Sequence, residues 1–210
     1  WCSACYGRND YRVEAEEKTI MNKRKAGIAF VILGAVLILS ALLLFLRNWK
    51  ENEEAGDHVE QVMQAITDNM VENPPETTSS DIEETVIPEI PAEMTTMSID
   101  GYDYIGYLEI PSLDLKLPVM SDWDYDRMKI APCRQFGSIR TDDLVIAGHN
   151  YRTHFGALSG LNVGDHILFT DMDGMAWRYT VSETTTLQPT DVDAVQNSGY
   201  DLVSVSYTHL

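Results

Sequence analysis

His149 stands where a side chain could do chemistry. It follows the apolar run Leu144–Ala147 and Gly148, so it falls where a strand ends and an imidazole is exposed. A histidine there can take up or give a proton near neutral pH. The position suits a surface histidine on a loop equally well, and spacing alone leaves both readings open. His154 follows five residues later. That is not the i, i+4 spacing of a helical zinc pair, and no acidic partner stands in a known pattern, so no metal site is expected. The cysteines are Cys2, Cys5 and Cys133. Cys2 and Cys5 form a C-x-x-C pair without a second pair, ligand-spaced histidines or a βαβ context, and it reads as incidental. Cys133, in Ala131-Pro132-Cys133-Arg134, reads as a partly buried free thiol. Asp171 and Asp173 read as turn residues, since a calcium loop needs further oxygen ligands at regular positions. No residue pattern calls for a cofactor.

The elements around these residues are short. Ile105–Ile110 is apolar and stops at Pro111, and Leu115–Met120 alternates. Asp124–Ile130 fits one or two helical turns, and His154–Leu161 a short helix. Leu144–Ala147 is a buried strand. His166–Thr170 and Trp177–Val181 alternate across the turn Asp171-Met172-Asp173-Gly174, which makes a hairpin. Short strands at this spacing predict an all-β barrel or sandwich.

Two segments precede that domain. Residues 26–46, AGIAFVILGAVLILSALLLFL, are an uncharged run of 21. As a helix it spans about 31 Å, the thickness of a hydrocarbon core. The run is longer than a signal-peptide core and lacks a small-residue cleavage pattern, so a signal-anchor helix is expected. Lys23, Arg24 and Lys25 flank its start, against Arg47 and Lys50 beyond its end. By the positive-inside rule residues 1–25 are cytoplasmic and everything after the helix is extracellular. Met21 opens the run Met-Asn-Lys-Arg-Lys and reads as the initiator, which would make residues 1–20 non-native. Residues 47–100 read as an acidic stalk: residues 51–100 hold fourteen Asp or Glu and no Lys or Arg. Within it Val59, Val62, Met63 and Ile66 suit a short amphipathic helix, stopped at Asn73-Pro74-Pro75, before a Pro-, Glu-, Thr- and Ser-rich stretch. The formal net charge of -18 argues against a nucleic-acid partner.

The blocks YIGYLEIPSLDLKLPVM (104–120) and LVIAGHNYRTHFGALSGLNVGDHILFTDMDG (144–174) resemble the sortase family, and within it the class B-like branch. Thr185 and Leu187-Gln188-Pro189-Thr190-Asp191-Val192 continue the likeness, which spans residues 102–202. The resemblance implies a sortase-like β-barrel over 101–202. It also implies a cysteine transpeptidase that cuts a sorting-signal peptide of secreted proteins and joins it to a cell-wall precursor or pilin amine. In such a mechanism a thiolate attacks, a histidine moves protons, and an arginine with backbone amides holds the oxyanion. The family's histidine maps onto His149, which favours the functional reading over the loop histidine. Its cysteine and arginine do not map. Counted without gaps along Asp201–Tyr207, Tyr207 stands where the cysteine belongs, and no arginine strand follows. Arg152 and Arg178 lie outside the matching strand, and Cys133 precedes the histidine. The expectation is therefore an incomplete barrel, a foreign tail over 203–210 and a chain inactive as it stands. The alternative is a non-catalytic surface module that binds a peptide or protein partner.

Overall fold

Helix α1 (Asp10–Glu72) runs through a boundary between two units, Trp1–Lys50 and Glu51–Leu210. The structure, a computed structural model, describes residues 10–72, 93–188 and 190–207, and for residues 10–20 the backbone alone. Cys2, Cys5 and residues 73–92 of the expected stalk lie outside the described residues.

In the first unit α1 carries the uncharged run, and Ile28, Phe30, Val31, Leu43 and Phe45 are exposed. An apolar helix with its side chains exposed suits lipid, because its backbone polar groups are satisfied internally. It is long and apolar enough to cross a membrane.

In the second unit α1 behaves differently. Ala55, Val59, Val62, Met63 and Ile66 recur every three or four residues and are buried, Ile66 completely. Val59, Val62, Met63 and Ile66 join the same core as the strands. Residues 51–72, expected within the stalk, are thus a packed part of the folded unit. An acidic segment can do this because Glu53, Glu54, Asp57, Glu60, Asp68 and Glu72 are exposed, and only Glu51 is half-buried.

The strands are β1 (Met97–Ile99), β2 (Tyr102–Ile110), β3 (Leu115–Met120), β4 (Cys133–Phe136), β5 (Leu144–His149), β6 (His166–Asp171), β7 (Ala176–Thr180) and, after the short helix α2 (Val192–Gln196), β8 (Leu202–Tyr207). They form one curled sheet, a half-barrel, in the order β7-β6-β2-β3-β4-β5-β8, with β1 paired to β2. The β3–β4 and β5–β8 pairs are parallel and the rest antiparallel. The interior is filled by Tyr104, Ile105, Leu108 and Ile110 of β2, Leu117 and Met120 of β3, Leu144 and Ile146 of β5, and Phe169 of β6. Gly106 sits at a bulge in the β2–β3 register, and a Cβ there would lie 2.2 Å from the Thr170 carbonyl oxygen. Only glycine lets β2 approach β6 so closely.

Three boundaries differ from the sequence reading. The sheet begins at β1, inside the expected stalk, because Met97–Ile99 pairs with Tyr102–Tyr104. Residues 202–207, most of them assigned to a foreign tail, pair along the whole of β5. The helices expected around 124–130 and 154–161 are 3₁₀ turns, Arg127–Lys129 and Phe155–Gly160.

Candidate functional site

Strand β5 delivers His149 to the sheet's end. Leu144 to Ala147 are buried, and β4 and β8 flank the strand on either side. Gly148 is required: a Cβ there would lie 2.6 Å from the Phe155 ring, which packs against the backbone just before His149. His149 itself is half-buried. Its ring stacks on Tyr151 with centroids 3.9 Å apart and planes 28° apart. Its Nδ1 is buried and meets no hydrogen-bond partner among the described residues. Burial, helped by the Lys129 charge and opposed by Glu51, holds the imidazole below its ordinary pKa. At neutral pH the ring is therefore uncharged and able to accept a proton.

Tyr207 is the direct register partner of His149 across the parallel β5–β8 pair. Partners in such a pair share a face about 4.8 Å apart. Position 207, which the ungapped count along Asp201–Tyr207 singled out, is thus beside His149. The Tyr207 hydroxyl accepts a hydrogen bond from Gln135 Nε2 at 2.8 Å.

The other candidates fall elsewhere. Cys133 is fully buried in β4, opposite Ala147, and donates to the Ala131 carbonyl at 3.3 Å. Burial pushes its thiol up to about 12, so it stays protonated. It is more deeply buried than the partly buried thiol expected. Arg152 lies in the loop after His149, where its backbone N–H donates to Asn52 Oδ1 at 2.8 Å. Arg178 is on β7, at the other end of the strand order from β8. Asp171 and Asp173 do form a turn, with Gly174 N–H donating to Asp171 O. Asp171 also does more: its buried carboxylate accepts from the Asp173 and Met175 amides and from Arg140 at 2.7 Å. Sequence spacing showed the turn and not the Arg140 partner, which comes from a different loop.

His149 and His154 do not converge on a metal position. Tyr151 stands between them, stacked on His149 and edge-on to His154 at 5.5 Å and 65°. His154 is fully buried, with Nε2 3.4 Å from the Ala55 carbonyl oxygen of α1. Tyr151, Gln135 and the α1 residues behind the loop were missed by sequence reasoning. The pair Tyr151–His149 shares a strand-like i, i+2 spacing that signals a common face, and that was the one available clue.

Comparison with known proteins finds sortases. Residues 108–206 match the family model described as the sortase domain. The chain is similar to sortase A of Listeria monocytogenes serovar 1/2a, at 24% identity over 188 residues, covering 85% of this chain and 80% of the relative. Among solved structures it is similar to sortase A from Corynebacterium diphtheriae, with TM-score 0.46 and 20% identity over 51% of this chain and 54% of that one. Sortase C1 from Streptococcus agalactiae gives TM-score 0.44 and 22% identity, over 53% of this chain and 63% of that one. The chain thus spans a little over half the length of these solved sortase chains.

Proposed function

We propose that this domain is a sortase domain and belongs to a membrane-anchored cysteine transpeptidase of secreted proteins, with His149 as its acid/base. The reaction would cleave a sorting-signal peptide and pass the acyl group to a cell-wall or pilin amine. The supporting observation is the pairing of His149 with Tyr207 across β5 and β8. On this reading His149 is the acid/base and position 207 the nucleophile position, and their pairing on one face supports it. A thiol at position 207 would lie within reach of a neutral imidazole, which could take its proton on attack and return it to the leaving amine. Tyrosine cannot serve in that role, because a phenol hydroxyl does not form the thioacyl intermediate. Cys133, buried and protonated, does not replace it. The chain is therefore inactive as it stands under this reading. The class B-like assignment rests on the two sequence blocks 104–120 and 144–174.

A second reading has its own support. Tyr207 is integrated in the sheet and bonded to Gln135, which suits a non-catalytic module that holds a peptide or protein partner without cutting it. Tyr207→Cys separates the two. Under the catalytic reading the introduced thiol reacts with iodoacetamide at pH 7 roughly tenfold faster than in the Tyr207→Cys, His149→Ala double variant. It also forms a covalent acyl adduct, seen by mass spectrometry, with peptides from a sorting-signal library. Equal alkylation rates in the two variants would rule out His149 as the base. Peptide binding without any adduct would favour the module.

A further inference from the structure

We infer that His154 and Tyr151 are positioning residues that set the imidazole of His149, with α1 as their support; this rests on the reading of His149 as acid/base. The chain of contacts is continuous. The His154 ring is fully buried, and its Nε2–H points at the Ala55 carbonyl. Its ring meets the edge of Tyr151, whose own ring lies on His149. The loop between them is tied to α1 at further points. Arg152 N–H donates to Asn52 Oδ1 at 2.8 Å, and the Thr153 hydroxyl donates to Asn52 O at 3.3 Å. Gly56 leaves room for the Thr153 methyl, which lies 3.1 Å from where a Cβ on Gly56 would stand. The Tyr151 carbonyl accepts from the amides of both His154 and Gly156, which fixes the loop's backbone.

The need for such support follows from His149 itself. An acid/base histidine must be held in one orientation to work, and this is commonly done by a hydrogen bond to its second nitrogen. Here Nδ1 has no such partner among the described residues. A stacked aromatic ring can orient the imidazole instead, provided the aromatic ring is itself fixed. Tyr151 is fixed from behind by His154, and His154 by the backbone of α1. An aromatic stack also keeps water from one face of the imidazole, which favours its neutral form.

The test uses the full chain in detergent micelles with labelled histidines, followed by NMR through a pH titration. His166, which lies beside the Thr180 hydroxyl on the β6–β7 hairpin, reports on folding. Tyr151→Leu is expected to remove the ring-current shift of the His149 Cε1 proton and to move its titration up toward the ordinary value. His154→Ala is expected to reproduce at least half of both changes while the His166 signal stays in place. His154→Phe, which keeps the edge contact, is expected to restore most of the ring-current shift. If His154→Ala leaves both His149 signals as they were, with His166 unchanged, the positioning role is overturned. The same readout in the Tyr207→Cys background, alongside iodoacetamide rates, keeps two failures apart. Unaltered His149 signals in His154→Ala with a reactive thiol refute the inference alone. Coupled His149 signals with a thiol indifferent to His149 refute the catalytic reading and leave the contact chain standing.

Discussion

A neutral, buried histidine makes stability depend on pH, and His154 is such a group. Burial is the main cause that brings it down to about 4, with the His149 charge acting in the same direction and the Ala55 and Met128 backbone opposing. In the unfolded chain a histidine titrates near 6.5. Between those values the unfolded state holds the extra proton and the folded state does not. Stability is then complete above about pH 6.5 and is lost as the pH falls toward 4. His149, also held down, contributes with the same sign. The loss expected from His154 between pH 7 and pH 4 is on the order of 3 kcal/mol. Urea melts of the full chain at pH 4, 5, 6 and 7 measure it. His154→Gln should be less stable at pH 7 and show a visibly shallower pH dependence across that window. A slope identical to the parent's would mean that some other group titrates.

At the scale of elements, the second half of α1 carries the clearest consequence. Its apolar stripe reaches the interior, and Ile66 is completely buried there while Val71 is exposed. Ile66→Ala should cost about 2–5 kcal/mol, the range for an aliphatic side chain lost from a packed core. Val71→Ala should cost almost nothing. Thermal unfolding of the two variants side by side checks this, and equal effects would return residues 51–72 to the stalk. The stripe at Val59, Val62, Met63 and Ile66 was legible in the sequence as an amphipathic helix. What it packs against was not, because fourteen acidic residues dominate 51–100 and suggest solvent. Strands β2, β3, β5, β6 and β7 could be read from alternation and turn residues. Strand β4 could not, since Cys133–Phe136 is four residues long and follows no periodic run. Strand β8 was discounted because Val203–Tyr207 departs from the family's motif, yet Val203, Val205 and Tyr207 alternate with Ser204 and Ser206 as a strand should. His149 was legible from the glycine and strand before it. Its neighbour Tyr207 emerged only from register, which no local pattern encodes, and the contacts of His154 with Tyr151 and α1 come from tertiary packing that its spacing from His149 does not show.

For the whole molecule, the proposal requires residues 26–46 to cross a bilayer, with the N-terminus on one side and residues 51–210 on the other. The apolar helix carries no charge over residues 26–46, whereas Lys23, Arg24 and Lys25 precede it and an acidic segment follows. Moving those three cations across a bilayer is the costlier option, so the N-terminus should stay in the cytoplasm and residues 51–210 should face outward. A transpeptidase of secreted proteins needs this orientation, because its substrates emerge on the outer face. Expressed in a bacterial host, the full chain should remain with membranes after alkaline carbonate washing. Protease added to intact spheroplasts should digest the β domain, as followed with an antibody to residues 93–207. Replacing Lys23, Arg24 and Lys25 with Glu should reduce the accessible fraction, since the charge bias that sets the orientation is then gone. Full protection of the parent's β domain in intact spheroplasts would place the domain in the cytoplasm, where neither a sorting signal nor a wall amine is within its reach.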